Sequence, residues 1–284
     1  MLNSIFNGNT MNKKSNIDQE STDIYSFGYQ KGVIDYLVYR AQKSVDFILP
    51  HLNSYMEVLE CGCGPGTVTF EIAKKVTKGN VIGIDINKNQ IDSNNTKVDD
   101  SDFYNLQFEV ANILDLPYSD NSFDIVYMQA LLIHIKNPIN AIKEVQRVLK
   151  SDGVILIREP IMDRTIVSPE IPILIQAIEL IQKAICSYGG DPSIGRKLWS
   201  LLNGVGFKGI QISSNWGQPH TLDEWSDFYK GWAEVYRGKI GDIILENGWV
   251  DEKSLVDISN AFINLGKKKN GYAAAPWGEA VGRK

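Results

Sequence analysis

Gly62, Gly64 and Gly66 lie two residues apart in "LECGCGPGT", directly after Glu60 and before the amphipathic stretch "TVTFEIAKKV". A bare backbone between a strand and a helix suits ligand binding. Glycine tolerates positive φ and lets a ligand approach the chain closely. The helix N-terminus adds unpaired N–H groups and a partial positive charge. A dinucleotide site asks for G-x-G-x-x-G, which requires glycine at 67 or 69. Thr67 and Thr69 stand there, so that pattern fails in both registers. Cys61 and Cys63 share the loop, yet no His/Cys cluster completes the four ligands of a structural zinc site, and no metal is expected.

The elements that must hold this loop follow from apolar periodicity. Val33–Leu49 carries a helical stripe and stops at Pro50. Thereafter short apolar runs alternate with helical patterns. "EVLEC", "NVIGIDI", "LQFEVANI", "SFDIVYMQA" and "GVILIRE" read as five strands. A helix from about Lys88 to Val98 follows the second strand. Before the fifth, Asn137 is placed to cap a helix, Pro138 suits its first turn, and Ile142, Val145 and Leu149 form its buried stripe. This alternation predicts a doubly wound, largely parallel sheet with its ligand at the carboxyl ends of the strands. From Met162 the rhythm breaks into two consecutive helices, an insertion over about 162–204. "FKGIQISSN" reads as a sixth strand, and helices are expected at Leu222–Arg237 and Lys253–Leu265. "GYAAAPWGEAVGRK" closes the chain as a last strand. The polar stretch over residues 1–22 reads as a disordered tail, and 23–284 as one domain.

"LECGCGPGT" resembles motif I of the class I S-adenosylmethionine-dependent methyltransferases, an acidic residue followed by G-x-G-x-G. "VIGIDIN" is similar to their second-strand motif. "LPYSDNSFDIVYMQALLIHIKNPINAIKEVQRVLKSDGVILIRE" is similar to the fourth- and fifth-strand region of the small-molecule type, which includes the ubiquinone/menaquinone-biosynthesis enzymes. The closing "AAPWGEAVGRK" resembles their last strand. The resemblance implies a Rossmann-like α/β fold with a seven-stranded sheet, mostly parallel with an antiparallel last strand, N-terminal helices and a helical insertion after strand five. It implies S-adenosyl-L-methionine as cofactor. Gly62, Gly64 and Gly66 would lie against its methionine part, Glu60 would orient its amino group, and Asp85 would accept the ribose hydroxyls. Asn112, standing where the family usually has an acidic residue, and Ile113 would meet the adenine. Gln129 would lie beside the methyl group. Cys63, Ile86 and Gln90 complete the contacts, with Tyr29 and Arg40 from the N-terminal segment that folds over the cofactor in this family, as would Tyr25.

A sulfonium methyl is already activated, so the main catalytic task is positioning, and a base is needed only where the acceptor must lose a proton. His134, four residues beyond Ala130, is the candidate base, against a packing or capping role. Arg158 and Glu159 end strand five at the same rim, as substrate contacts or as an ion pair bracing the loop. All six tryptophans lie at or after Trp199, and Trp216, Trp225 and Trp232 flank or occupy the helix after strand six. They either pack the added helices or face a large apolar or aromatic acceptor, with the 162–204 insertion as its lid.

Composition narrows the classes. The 284 residues are 43% apolar and 22% charged, an ordinary globular balance, with a net charge of −5 that argues against a nucleic-acid partner. No apolar run long enough to span a membrane and no secretory signal pattern occurs, and three cysteines without framework spacing fit a cytoplasmic protein. The leading reading is transfer of a methyl group to a small-molecule acceptor. The alternatives are a structural use of the cofactor site, a cyclisation or rearrangement without methyl transfer, and a nicotinamide-dependent reaction, which Thr67 and Thr69 disfavour. A homodimer is left open.

Overall fold

The computed structural model describes residues 27–42, 44–217 and 222–284. The expected tail over 1–22 and Tyr25 lie outside the described residues, as does the side chain of Trp225. The strands are β1 (Glu57–Cys61), β2 (Asn80–Asp85), β3 (Leu106–Val110), β4 (Phe123–Gln129), β5 (Leu149–Pro160), β6 (Ile166–Ser168), β7 (Lys208–Gly217) and β8 (Tyr272–Arg283). They run in the order β3-β2-β1-β4-β5-β8, with β7 and the short β6 each paired antiparallel to β8. The first five strands are mutually parallel and β8 is antiparallel to β5.

Parallel strands covered on both faces are apolar on both faces. Along β1, Val58 joins the layer of Val45, Ile48, Val68 and Ile72, whereas Leu59 joins the opposite layer with Ile142, Val145 and Val148. Helices α3 (Thr67–Lys75) and α4 (Lys88–Asp99) follow β1 and β2, and α5 (Pro138–Val148) follows β4. Asn87 caps α4 by accepting the Gln90 N–H at 3.1 Å. The strand order reverses between β1 and β4, which opens a crevice at their carboxyl ends.

The expected doubly wound fold with an antiparallel closing strand is the observed one. Several local expectations need correction. The helix expected over Val33–Leu49 is two, α1 (Lys31–Gln42) and α2 (Val45–Ile48). Between them Ser44 is buried, its hydroxyl donating to the Arg40 carbonyl at 2.9 Å and accepting from Arg158 Nη1 at 2.8 Å. Asn137 holds the N-cap position of α5 but makes no side-chain capping bond. Its side chain borders a cavity instead.

The insertion contains α6 (Pro172–Ser187) and α7 (Leu198–Val205), as expected, and also β6, the eighth strand. Between α8 (Leu222–Arg237) and α10 (Glu252–Gly266) lies an unexpected helix, α9 (Lys239–Glu246). α8 packs against both α1 and α10. Among the described residues no helix is long and apolar enough to cross a membrane.

Candidate active site

The β1–α3 turn is built on positive φ at Gly62 (73°), Gly64 (50°) and Gly66 (78°). The three glycines do different things. A Cβ at Gly66 would stand 2.9 Å from Phe108 Cζ and 3.0 Å from Asn94, so this glycine permits packing. At Gly62 it would stand 3.0 Å from Leu131 Cδ1. At Gly64 it would meet nothing within 4 Å, because that face is open. Gly64 is nonetheless held firmly. Its N–H donates to Asp85 Oδ2 at 2.9 Å, and its carbonyl accepts from Asn94 Nδ2 at 2.8 Å.

Around this turn lies a cavity of about 390 Å³, lined by Tyr29, Arg40, Glu60, Gly62, Cys63, Gly64, Asp85, Ile86, Asn112, Ile113, Gln129 and His134 among others. Twelve of the residues named from the sequence therefore converge on one space. Gly66 and Gln90 do not line it. Gly66 faces Phe108 and Asn94, and Gln90 is buried in the first turn of α4.

Two buried carboxylates mark this cavity. Glu60, buried near the end of β1, accepts from Thr69 Oγ1 at 2.7 Å. Burial pushes its carboxyl up to about 8, the Thr69 bond pulling the other way and Asp85 adding to the rise. Asp85, at the end of β2, accepts from the amides of Gly64 and Asn87, both at 2.9 Å, and from Tyr29 Oη at 3.4 Å. Burial raises its pKa, and those donors limit the rise. Asn112 forms a turn in which its Oδ1 accepts the Leu114 N–H at 2.9 Å. That bond uses one of the two lone pairs of the amide oxygen. Gln129 Oε1 accepts from Tyr127 Oη at 2.5 Å.

Beyond β4 the chain turns sharply at Ala130, whose φ is 49°. The loop is held by Glu159, which is fully buried at the end of β5. Its Oε1 accepts from the amides of Leu131 and Leu132, both at 2.8 Å, and its Oε2 from Ile133 at 3.2 Å. Burial lifts Glu159 to about 7 against the pull of these three amides. Arg158 and Glu159 therefore form no ion pair with each other. Arg158 Nε pairs with Glu279 Oε1 at 3.2 Å, and its guanidinium lies 4.3 Å from the centre of the Trp277 ring.

His134 sits at the end of the same loop, 5% exposed, edge-on to Phe27 and 3.5 Å from Tyr188 Oη through Nδ1. Burial, aided by the charge of Arg40, lowers its pKa to about 3, so the ring is neutral at physiological pH.

A second, smaller cavity of about 60 Å³ adjoins the first and shares Arg40, Ala130 and His134 with it. Its walls include Phe27, Tyr36, Phe228, Trp232 and Trp277. Trp232 and Trp277 thus face a cavity, while Trp216 is 46% exposed on β7. The 162–204 insertion contributes Tyr188 to the larger cavity and Met162 to the smaller; the helical cover comes mainly from α1 and α8. Tyr188 carries no signal in the sequence, because it lies far from every motif and reaches the site only through the packing of α6.

A family profile described as a methyltransferase domain matches residues 52–188. An uncharacterized methyltransferase of Schizosaccharomyces pombe is 30% identical over 166 residues, 55% of this chain and 58% of that protein. A demethylmenaquinone methyltransferase of Lactobacillus johnsonii is 37% identical over 103 residues, 36% of this chain and 42% of that protein. The chain thus spans about half the length of the curated relatives it matches. The crystal structure of the cyclase SpnF superposes with a TM-score of 0.54 at 17% identity, covering 85% of this chain and 80% of that one, a likeness of fold. Residues 52–188, just under half of the chain, thus carry the likeness to methyltransferase domains, and the relatives named here are themselves methyltransferases.

Proposed function

We propose that the chain is an S-adenosyl-L-methionine-dependent methyltransferase acting on a small apolar or aromatic acceptor. The observation that carries this reading is the pair of adjoining cavities. One is walled by the glycine turn and two buried carboxylates, the other by six phenylalanine, tyrosine and tryptophan rings, and they share Arg40, Ala130 and His134.

The residues of the larger cavity fit the cofactor. Gly64 presents open space where any side chain would intrude. Asp85 keeps lone pairs for two ribose hydroxyls after accepting its backbone amides. Glu60 offers a buried carboxylate to an ammonium group, whose charge would favour its ionised form. Gly62, Cys63, Ile86 and Gln129 supply contact surface, Tyr29 closes over Asp85, and Asn112 and Ile113 border the place for an adenine. When bound, the cofactor supplies an activated sulfonium methyl group. The protein's own task is then to hold the acceptor and keep water out, worth on the order of 7–11 kcal/mol. His134, neutral and buried at the junction of the cavities, is suited to hydrogen-bonding an acceptor. Its low basicity suits it poorly to removing a proton.

The acidic net charge supports a small-molecule acceptor over nucleic acid, and the three unpaired cysteines support a cytoplasmic setting. The likeness to a cyclase is a likeness of fold and does not outweigh methyl transfer. Only methyl transfer yields S-adenosylhomocysteine in proportion to acceptor, which separates it from a structural or cyclising use of the site.

Calorimetric titration of wild type and Asp85→Ala with S-adenosylhomocysteine, with NAD as control, tests the cofactor site. Wild type should bind in the micromolar range, Asp85→Ala at least about tenfold more weakly, and NAD not at all. A folded wild type that binds no S-adenosylhomocysteine overturns the reading.

A further inference from the structure

We propose that the acceptor binds as an anion, an aromatic or conjugated acid whose acidic group is held by Arg40; this rests on the methyltransferase reading above. The smaller cavity is lined by two arginines, Arg40 and Arg158, and by no carboxylate. Arg158 is matched, since its guanidinium pairs with Glu279 at 3.2 Å. Arg40 is not. Among the described residues it forms no ion pair, and its Nε is buried without a hydrogen-bond partner. Its position favours the smaller cavity over the larger. The guanidinium carbon lies 5.3 Å from the Trp277 ring centre and 5.9 Å from that of Tyr36, and both rings wall the smaller cavity and not the larger.

A guanidinium held between aromatic faces presents its remaining N–H groups in a plane that matches a carboxylate in bidentate fashion. The other walls are rings that offer stacking area to a planar acceptor. His134 adds no negative charge, since its ring is neutral. A guanidinium with no ion-pair partner among the described residues, in a cavity lined by no carboxylate, is favoured by an anion beside it. An acidic acceptor supplies that anion.

Benzoate and benzamide share shape and differ in charge, so they isolate the effect. Ligand-observed NMR on the full chain, saturated with S-adenosylhomocysteine, would give both dissociation constants for wild type, Arg40→Lys and Arg40→Gln. Wild type should favour benzoate by about tenfold or more. Arg40→Gln should bring the ratio near one, and Arg40→Lys should keep part of it. Equal affinities in wild type, or a preference that survives in Arg40→Gln, overturns the proposal. So does Arg40→Gln weakening S-adenosylhomocysteine while sparing benzoate, which would place the guanidinium at the cofactor's own carboxylate. Failure of wild type to bind S-adenosylhomocysteine is a separate outcome and sinks the methyltransferase reading itself.

Discussion

The glycine turn shows how much one residue's surroundings decide. Gly64 and Gly66 look alike in the sequence, and both adopt positive φ. Alanine at Gly64 meets open space, so its cost to folding should be the backbone strain alone, about 1–2 kcal/mol. The methyl group would project into the larger cavity, and S-adenosylhomocysteine affinity should fall at least about tenfold. Alanine at Gly66 meets Phe108 and Asn94 at 2.9–3.0 Å, so its thermal midpoint should fall further while the folded fraction still binds. Paired calorimetric and thermal measurements on the two variants distinguish these outcomes. Glu60 makes a different prediction. Folded, it holds its proton to about pH 8; unfolded, it releases it near 4.5. The folded state thus binds more protons across that interval, and stability should decline as pH rises from 5 to 8, by up to about 1.4 kcal/mol per unit for this group. Above pH 8 its contribution levels off. Glu60→Gln should flatten the pH dependence of the thermal midpoint, and an unchanged slope would refute the assignment.

Among the elements, the loop from Ala130 to His134 depends most on a distant strand. Glu159 is the acceptor for three of its amides. Glu159→Ala should cost on the order of 3–5 kcal/mol in denaturant unfolding, because three buried donors lose their partner. Glu159→Gln, which keeps one amide oxygen, should cost clearly less. The strands and helices that bear the motifs were legible from the sequence because they are long and strongly periodic. Elements defined by their neighbours were not. β6 is three residues long and is defined by its pairing with Tyr272–Ala274 at the start of β8. Helix α9 is masked by Gly241, which reads as a breaker, yet a Cβ there would stand 2.1 Å from the Tyr236 carbonyl oxygen. The break between α1 and α2 centres on Ser44, which Arg158 engages from across the sheet. Most residues lining the larger cavity were legible because they sit at or beside the strand ends of one crevice; Tyr188, which arrives by tertiary packing, was not.

At the scale of the molecule, Arg158 ties together parts of the chain that are far apart in sequence. It joins β5 to β8 through Glu279, to the α1–α2 junction through Ser44, and to Trp277 by stacking. Glu279 also accepts from Ser213 on β7 at 2.9 Å. Arg158→Met alone should destabilise by roughly 3–5 kcal/mol, because it leaves Glu279 buried without its cation. Arg158→Met combined with Glu279→Leu should recover a substantial part of that loss, and a double-mutant cycle by chemical denaturation measures the coupling. Simple additivity of the two substitutions would show that the pair does not act as a unit.

The position of β8 has a consequence for synthesis. It is made after every other strand, yet it lies between β5 and β7. While the residues between Pro160 and Tyr272 emerge from the ribosome, the edge of β5 bearing Ile155, Leu156 and Ile157 has no partner. At about 5–20 residues per second that interval is on the order of ten seconds. For that time the nascent chain carries an open apolar strand edge, the kind of template that aggregation extends and that a holdase chaperone shields.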